Sequence, residues 1–213
     1  ARIQGVNLHQ LPIEPLRGAE KDLAQVYGVL HQATQRKIRI GVWGASHIAG
    51  EYFTGQIRRQ LQEKYGDAGH GFVLPALPWK GYRASDVNLC SGGDWITDFD
   101  RRTGGRNDGQ LGPGGVSLDA SEPGSFGWIQ TTLENPQGRN VSRFEVMFLR
   151  QPEGGHFRMV VDNGVPIEQD TKGAGPGVAV LHVPDGPHRL YLSPKGDGPV
   201  RLVGVNMERD TKG

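Results

Sequence analysis

IRIGVWGASHIAGEYFTG, residues 38–55, is the stretch on which the reading of this chain turns. Ile38, Ile40 and Val42 alternate with Arg39, Gly41 and Trp43, so residues 37–43 read as a β-strand. Gly44 and Ala45 supply the small residues of a tight turn. From Glu51 to Tyr65 the spacing of Phe53, Ile57 and Leu61 is helical, with Gly66 as its stop. Upstream, Leu23, Val26, Tyr27 and Leu30 fall at i, i+3, i+4 and i+7, which predicts another helix over residues 20–36. Helix, strand, tight turn, helix is the opening of an α/β domain. Ser46 sits in that turn, where a hydroxyl can project into a cleft and its own backbone N–H can face a developing oxyanion. The alternative local reading makes Ser46 a helix N-cap.

After about residue 81 the rhythm changes. The chain holds 33 Gly and 14 Pro, concentrated after residue 65, which suits a turn-rich β protein. Residues 91–125 have no helical period. Six short runs follow: FGWIQTT, VSRFEVMFLR, HFRMVVD, VAVLHVP, HRLYLSP and VRLVGVNME, separated by turns such as DNG and PDGP. With no helix between them they predict an antiparallel β-sandwich or jelly roll. The expected order is α/β first and all-β second. Residues 1–80 form an α/β part, 81–205 an inserted sandwich, and 206–213 the start of a return to the first part.

At 213 residues the chain is long enough for a substantial core. A formal net charge of +1 with scattered charges excludes a nucleic-acid footprint, and no apolar run is long enough to span a bilayer. Cys90 alone cannot form an internal disulfide or a cysteine-built zinc site. Asp67, His70 and Cys90 lack metal-ligand spacing, so neither a metal nor a cofactor is implied. Ala1 in place of Met is consistent with a removed leader, and an extracytoplasmic location (periplasmic or secreted) is the expectation.

The segment RIGVWGASHIAGEYFTGQIRRQLQEKYGDAGHGFVLP resembles the first block of the SGNH (GDSL-type) hydrolases. It is most similar to the branch of cell-wall peptidoglycan O-acetylesterases. The likeness rests on Gly44, Ser46, His47, Gly50, the helix, and Tyr65-Gly66-Asp67 with Gly69 and Gly71. It implies a flavodoxin-like α/β domain with an inserted β-sandwich and a serine esterase that removes acyl, above all acetyl, groups from a carbohydrate. Ser46 would be its nucleophile, Gly44 and the Ser46 N–H its oxyanion support, and His47 a residue shaping the cleft. One position departs: the family usually has Asp where this chain has Ala45, a residue that is not the proton acceptor of the triad.

Such a hydrolase also needs a Gly-x-Asn-Asp block and an Asp-x-x-His block. Both strings occur, at Gly105-Arg106-Asn107-Asp108 and Asp185-Gly186-Pro187-His188. The first has no strand before it, and the second reads as a hairpin, so neither has the context a parallel-sheet site requires. The base and second oxyanion donor are therefore expected beyond Gly213, in a C-terminal part of the same protein. The alternative is a carbohydrate-binding module on a catalytically degenerate hydrolase half; a third is a purely structural sandwich. Trp79, Tyr82, Trp95 and Trp128 are candidates for a sugar-stacking platform, with Trp128 read as a core residue.

Overall fold

The structure, a computed structural model, describes residues 20–99 and 105–213. Residues 1–19 of the expected first part lie outside them. The chain runs α1 (Glu20–Gln32), α2 (Ser46–Ala49) and α3 (Tyr52–Tyr65). Eleven strands follow: β1 (Gly69–Val73), β2 (Val87–Gly92), β3 (Ile96–Phe99), β4 (Val116–Ala120), β5 (Phe126–Thr131), β6 (Val141–Arg150), β7 (His156–Val161), β8 (Ile167–Asp170), β9 (Gly175–Gly186), β10 (Arg189–Pro194) and β11 (Val200–Glu208). They build two antiparallel sheets, β3-β4-β11-β6-β9 with β1 also paired to β11, and β2-β5-β10-β7-β8. All six expected strand runs are strands. Sequence reading missed β1, β2, β3, β4 and β8, which are short or rich in Gly, Asp and Ser. Because β1 pairs with β11 from Gly69 to Val73, the sandwich sheet begins ahead of residue 81.

The core lies between the sheets. Phe144, Val146 and Phe148 of β6 alternate inward and meet Phe157, Met159, Leu190 and Leu192 from the facing sheet. Phe148 and Phe157 contact edge to face with ring centroids 5.4 Å apart. Strand β11 shows how a broken alternation is repaired. Val200 and Leu202 point inward; a bulge between Leu202 and Gly204 absorbs one residue, and Val205 and Met207 again point inward. Gly204 is needed there because the Phe72 ring occupies the place of a Cβ. A second cluster, Leu74, Ala76, Val116 and Leu118, packs with Phe72, Tyr82, Trp95 and Phe99.

Gly127 faces inward from β5, where the carbonyl of Pro75 occupies the position of a Cβ. Both groups are backbone, so neither can move aside as a side-chain tip would. Gly127→Ala is expected to cost about 1–3 kcal/mol, the range for overpacking a filled site. Urea unfolding measures it, and an unchanged midpoint would show that the Pro75 backbone can move away from β5 there.

The N-terminal part departs from expectation in one respect. Residues 37–44 are not a strand. They lie against the outer face of the first sheet, where Lys37 Nζ reaches Glu208 at 2.8 Å and the Arg39 guanidinium reaches Glu208 at 2.6 and 2.8 Å. The pattern of Ile38, Ile40 and Val42 is strand-like, but a strand exists only where a neighbour completes its ladder. Among the described residues none does; the Ile38 N–H donates to the carbonyl of Gly213 at 2.8 Å. Ile40, Val42 and Trp43 remain exposed. Among the described residues the expected α/β opening is therefore helices α1, α2 and α3 with an unpaired segment between α1 and α2, and no parallel sheet is formed there.

The sequence Tyr65-Gly66-Asp67-x-Gly joins α3 to β1, beside β11. Gly66 and Gly69 have φ of +117° and +105°, and a Cβ on Gly69 would come within 2.6 Å of the Met207 carbonyl. Asp67 accepts from Gly69 N and from Gly138 N, both at 2.9 Å. Helix α3 is further tied to the sandwich through Asp86, whose carboxylate takes Arg58 at 2.5 Å, Arg59 at 2.9 Å and Asn135 at 2.5 Å.

Candidate functional site

Gly44 and Ala45 lead into α2, whose N-cap is Ala45 (φ −79°, ψ −158°). The Ala45 carbonyl accepts from Ile48 N at 2.9 Å and Ala49 N at 3.3 Å, closing the short turn. Gly44 has room for nothing larger, since a Cβ there would lie 2.5 Å from Ile48 Cγ1. With alanine at the cap, there is no capping side chain for the first N–H groups of the helix. The N-cap reading of Ser46 is therefore wrong by one residue: Ser46 is the first helical residue and its side chain is exposed. Its hydroxyl makes no hydrogen bond among the described residues. His47 is the second residue of α2.

Glu51 links this turn to the sandwich. It has φ +53° and caps α3, and its half-buried carboxylate accepts from Ser85 N at 2.6 Å. Burial raises the Glu51 pKa, and the hydrogen bond from Ser85 opposes that. The adjacent Tyr82 phenol is pushed up to about 12, first by burial and then by the Glu51 charge. Sequence reading did not single out Glu51 or Asp86, because the left-handed backbone that aims each of them is a tertiary property.

No described imidazole hydrogen-bonds to Ser46. His31 contacts the Tyr27 carbonyl, His156 pairs with Asp197, and His182 lies 3.5 Å from Asp210. His70 is buried and donates through Nε2 to the Ser85 carbonyl at 2.6 Å. Burial, with Arg58 nearby, lowers its pKa to about 4.

The two strings that mimic hydrolase blocks serve the sandwich. Asn107 has φ +52° and its N–H donates to Asp98 at 3.0 Å, while Asp108 takes both ends of the Arg201 guanidinium at 2.6 and 2.9 Å. Arg201 in turn holds Asp108 well below the usual carboxylate range, at about 2. Asp185 pairs with both ends of Arg209 at 2.8 and 2.6 Å. His188 lies at the β9–β10 turn with Nδ1 2.7 Å from Asp162 and Nε2 2.7 Å from the Pro184 carbonyl. Both of its nitrogens are thus engaged at that turn.

Of the four candidate platform aromatics, three gather. Trp79 meets Tyr82 edge to face at 5.6 Å and Phe99 at 5.6 Å, and Trp79 and Trp95 line one cleft of about 470 Å³. Trp128 is elsewhere and is not a core residue. The strand alternation buries Gly127, Ile129 and Thr131, so Trp128 is half-buried on the outer face, beneath Arg189 at 4.7 Å. Among the described residues no group of three or more His, Cys, Asp or Glu could hold a metal ion, and no helix is long and apolar enough to cross a membrane.

No protein-family model matches the sequence, and no curated protein does. Among solved structures, the fold is similar to that of a peptidoglycan O-acetylesterase (TM-score 0.59, 23% identity), over 87% of this chain and 47% of that one. The chain thus spans about half the length of that structure. Looser likenesses, which carry no argument, are to an exo-β-1,3-galactanase from Phanerochaete chrysosporium (TM-score 0.42, 13% identity, 65% of this chain and 29% of that one) and a family two carbohydrate esterase from Cellvibrio japonicus (TM-score 0.33, 20% identity, 58% and 33%).

Proposed function

We propose that this chain is the nucleophile-bearing part of an SGNH-type serine esterase acting on an acylated carbohydrate, with the sandwich inserted after its first block. The observation that carries the reading is Ser46 itself: exposed, with a hydroxyl that makes no hydrogen bond among the described residues, first in a helix that follows a glycine-led turn. Its motif context and the fold likeness to a peptidoglycan O-acetylesterase support the assignment. Ser46 Oγ attacks the ester carbonyl while its proton passes to a base. The sugar hydroxyl leaves with a proton returned by that base, and water then releases the acid from the acyl-enzyme. The Ser46 N–H, which has no partner within its own helix, stabilises the oxyanion.

The base and the second oxyanion donor come from polypeptide that packs on the N-terminal part. Val26, Tyr27, Val29, Ile40, Val42, Trp43, Tyr52 and Phe53 are all exposed there, a set that a completed α/β sheet would cover. The unpaired residues 37–44 are the strand such a sheet would include.

The test is Ser46→Ala in the full-length protein, assayed on p-nitrophenyl acetate and on O-acetylated glycan. Loss of a nucleophile is expected to lower kcat/KM by at least about a thousandfold. A variant with undiminished hydrolysis would overturn the assignment.

A further inference from the structure

We propose that the cleft between residues 77–80 and residues 91–97 is a glycan-binding site that grips pyranose rings on Trp79. This rests on the carbohydrate part of the proposed function and not on the chemistry of Ser46. The cleft, about 470 Å³, falls in the range of small-ligand sites and suits a short oligosaccharide. Trp79 is 38% exposed, yet its ring is held by the edge contacts to Tyr82 and Phe99, so stacking on it orders little that is not already ordered. Trp95 is likewise oriented, its Nε1 donating to the Phe126 carbonyl at 3.0 Å.

The walls are tied together. Thr97 Oγ1 donates to the Pro78 carbonyl and Leu77 N donates to Ser91 Oγ, both at 3.0 Å. The floor is kept low by Gly92 and Gly93: a side chain on Gly92 would strike the Phe126 ring, and Gly93 has φ +84°. Lys80 at the rim is exposed and has no ion-pair partner among the described residues. Fixed indole faces beside backbone amides, hydroxyls and one cation match a sugar, whose ring presents C–H groups on its faces and hydroxyls around its edge. One lysine on a nearly neutral protein is too little charge for a nucleic acid.

The experiment is retention of the protein on purified peptidoglycan sacculi, paired with quenching of its tryptophan fluorescence by chitotetraose. The wild type is expected to bind both probes, Trp79→Ala roughly tenfold more weakly, and Trp79→Tyr, which keeps an aromatic face, close to the wild type. Equal binding by wild type and Trp79→Ala would overturn the site, as would absence of wild-type binding to either probe. If the alanine variant fails to fold, Trp79→Leu, which keeps apolar volume without an aromatic face, carries the comparison, and Trp79→Leu binding as tightly as Trp79→Tyr would also overturn the site. Hydrolysis of p-nitrophenyl acetate by the full-length wild type separates the two readings. Trp79-dependent binding without hydrolysis retains the cleft and removes the esterase; hydrolysis without binding does the reverse.

Discussion

Arg201→Met is expected to cost about 3–5 kcal/mol at neutral pH, the range for breaking a buried ion network by removing one partner. Arg201 is 2% exposed although it is the longest side chain on β11, because it points away from the main core and is roofed by residues 105–112. Around its guanidinium lie Asp108 at 2.6 Å, Asp119 at 3.4 Å and Asp98 at 3.5 Å, with Ser117 Oγ at 2.9 Å and the Gln110 carbonyl at 2.7 Å. Methionine fills similar volume but leaves Asp98 without the buried cation it shares with Asp108 and Asp119, and leaves Asp119 with Arg106 alone, at 2.9 Å, among the described residues. Burial already raises the Asp119 pKa in the intact protein, with Arg106 and Arg201 opposing it. Removing Arg201 raises it further, so the folded variant takes up a proton that the unfolded chain does not hold. Part of the loss is therefore recovered as pH falls from neutral toward the unfolded carboxylate range. Urea unfolding at pH 7 and pH 5 measures both effects. A variant within about 1 kcal/mol of the wild type at pH 7 would mean that water enters and resolvates the carboxylates.

The second large effect is an acid-side loss of stability carried by His70. In the unfolded chain this imidazole titrates near its ordinary value of 6.5, whereas in the folded protein burial and Arg58 hold it at about 4, against the opposing influence of Asp86. Between those limits the unfolded state binds a proton that the folded state refuses. The contribution is therefore complete above pH 6.5 and lost progressively toward pH 4, amounting to about 3 kcal/mol. Glu51 and Asp119, whose pKa values burial raises, act in the opposite sense in the same region. The measurement is therefore a difference: unfolding free energy at pH 7 and pH 4.5 for the wild type and for His70→Gln, which can still donate to the Ser85 carbonyl. The variant is expected to lose less stability on acidification. Equal slopes would show that His70 charges in place by opening a path to water.

These two effects also show where sequence reading stopped. Nothing local marks Arg201 within VRLVGVNME as buried: the alternation correctly assigns it to the face opposite Leu202, and only the folding of residues 105–112 over that face removes it from water. Asp108 and Asp185 were legible as short-motif members, yet their partners are 93 and 24 residues away, on the last strand and just beyond it. The hydrolase-like spacing of those strings is incidental to the contacts they make.

By itself the sequence determined the local periods: helices over Glu20–Gln32 and Tyr52–Tyr65, six strand runs that the turns separate, and a serine at a glycine-led helix start. Those depend on neighbours a few residues away, which the chain carries with it. Tertiary structure decided what depends on distant partners. It turned Gly, Asp and Ser segments such as Val87–Gly92 and Val116–Ala120 into strands because a ladder awaited them, and it left residues 37–44 without a ladder partner among the described residues. It also placed Trp79 with Trp95 and removed Trp128 to the opposite side of β5 from the core. A strand needs hydrogen-bonding edges and a site needs convergence, and both are supplied by residues remote in sequence.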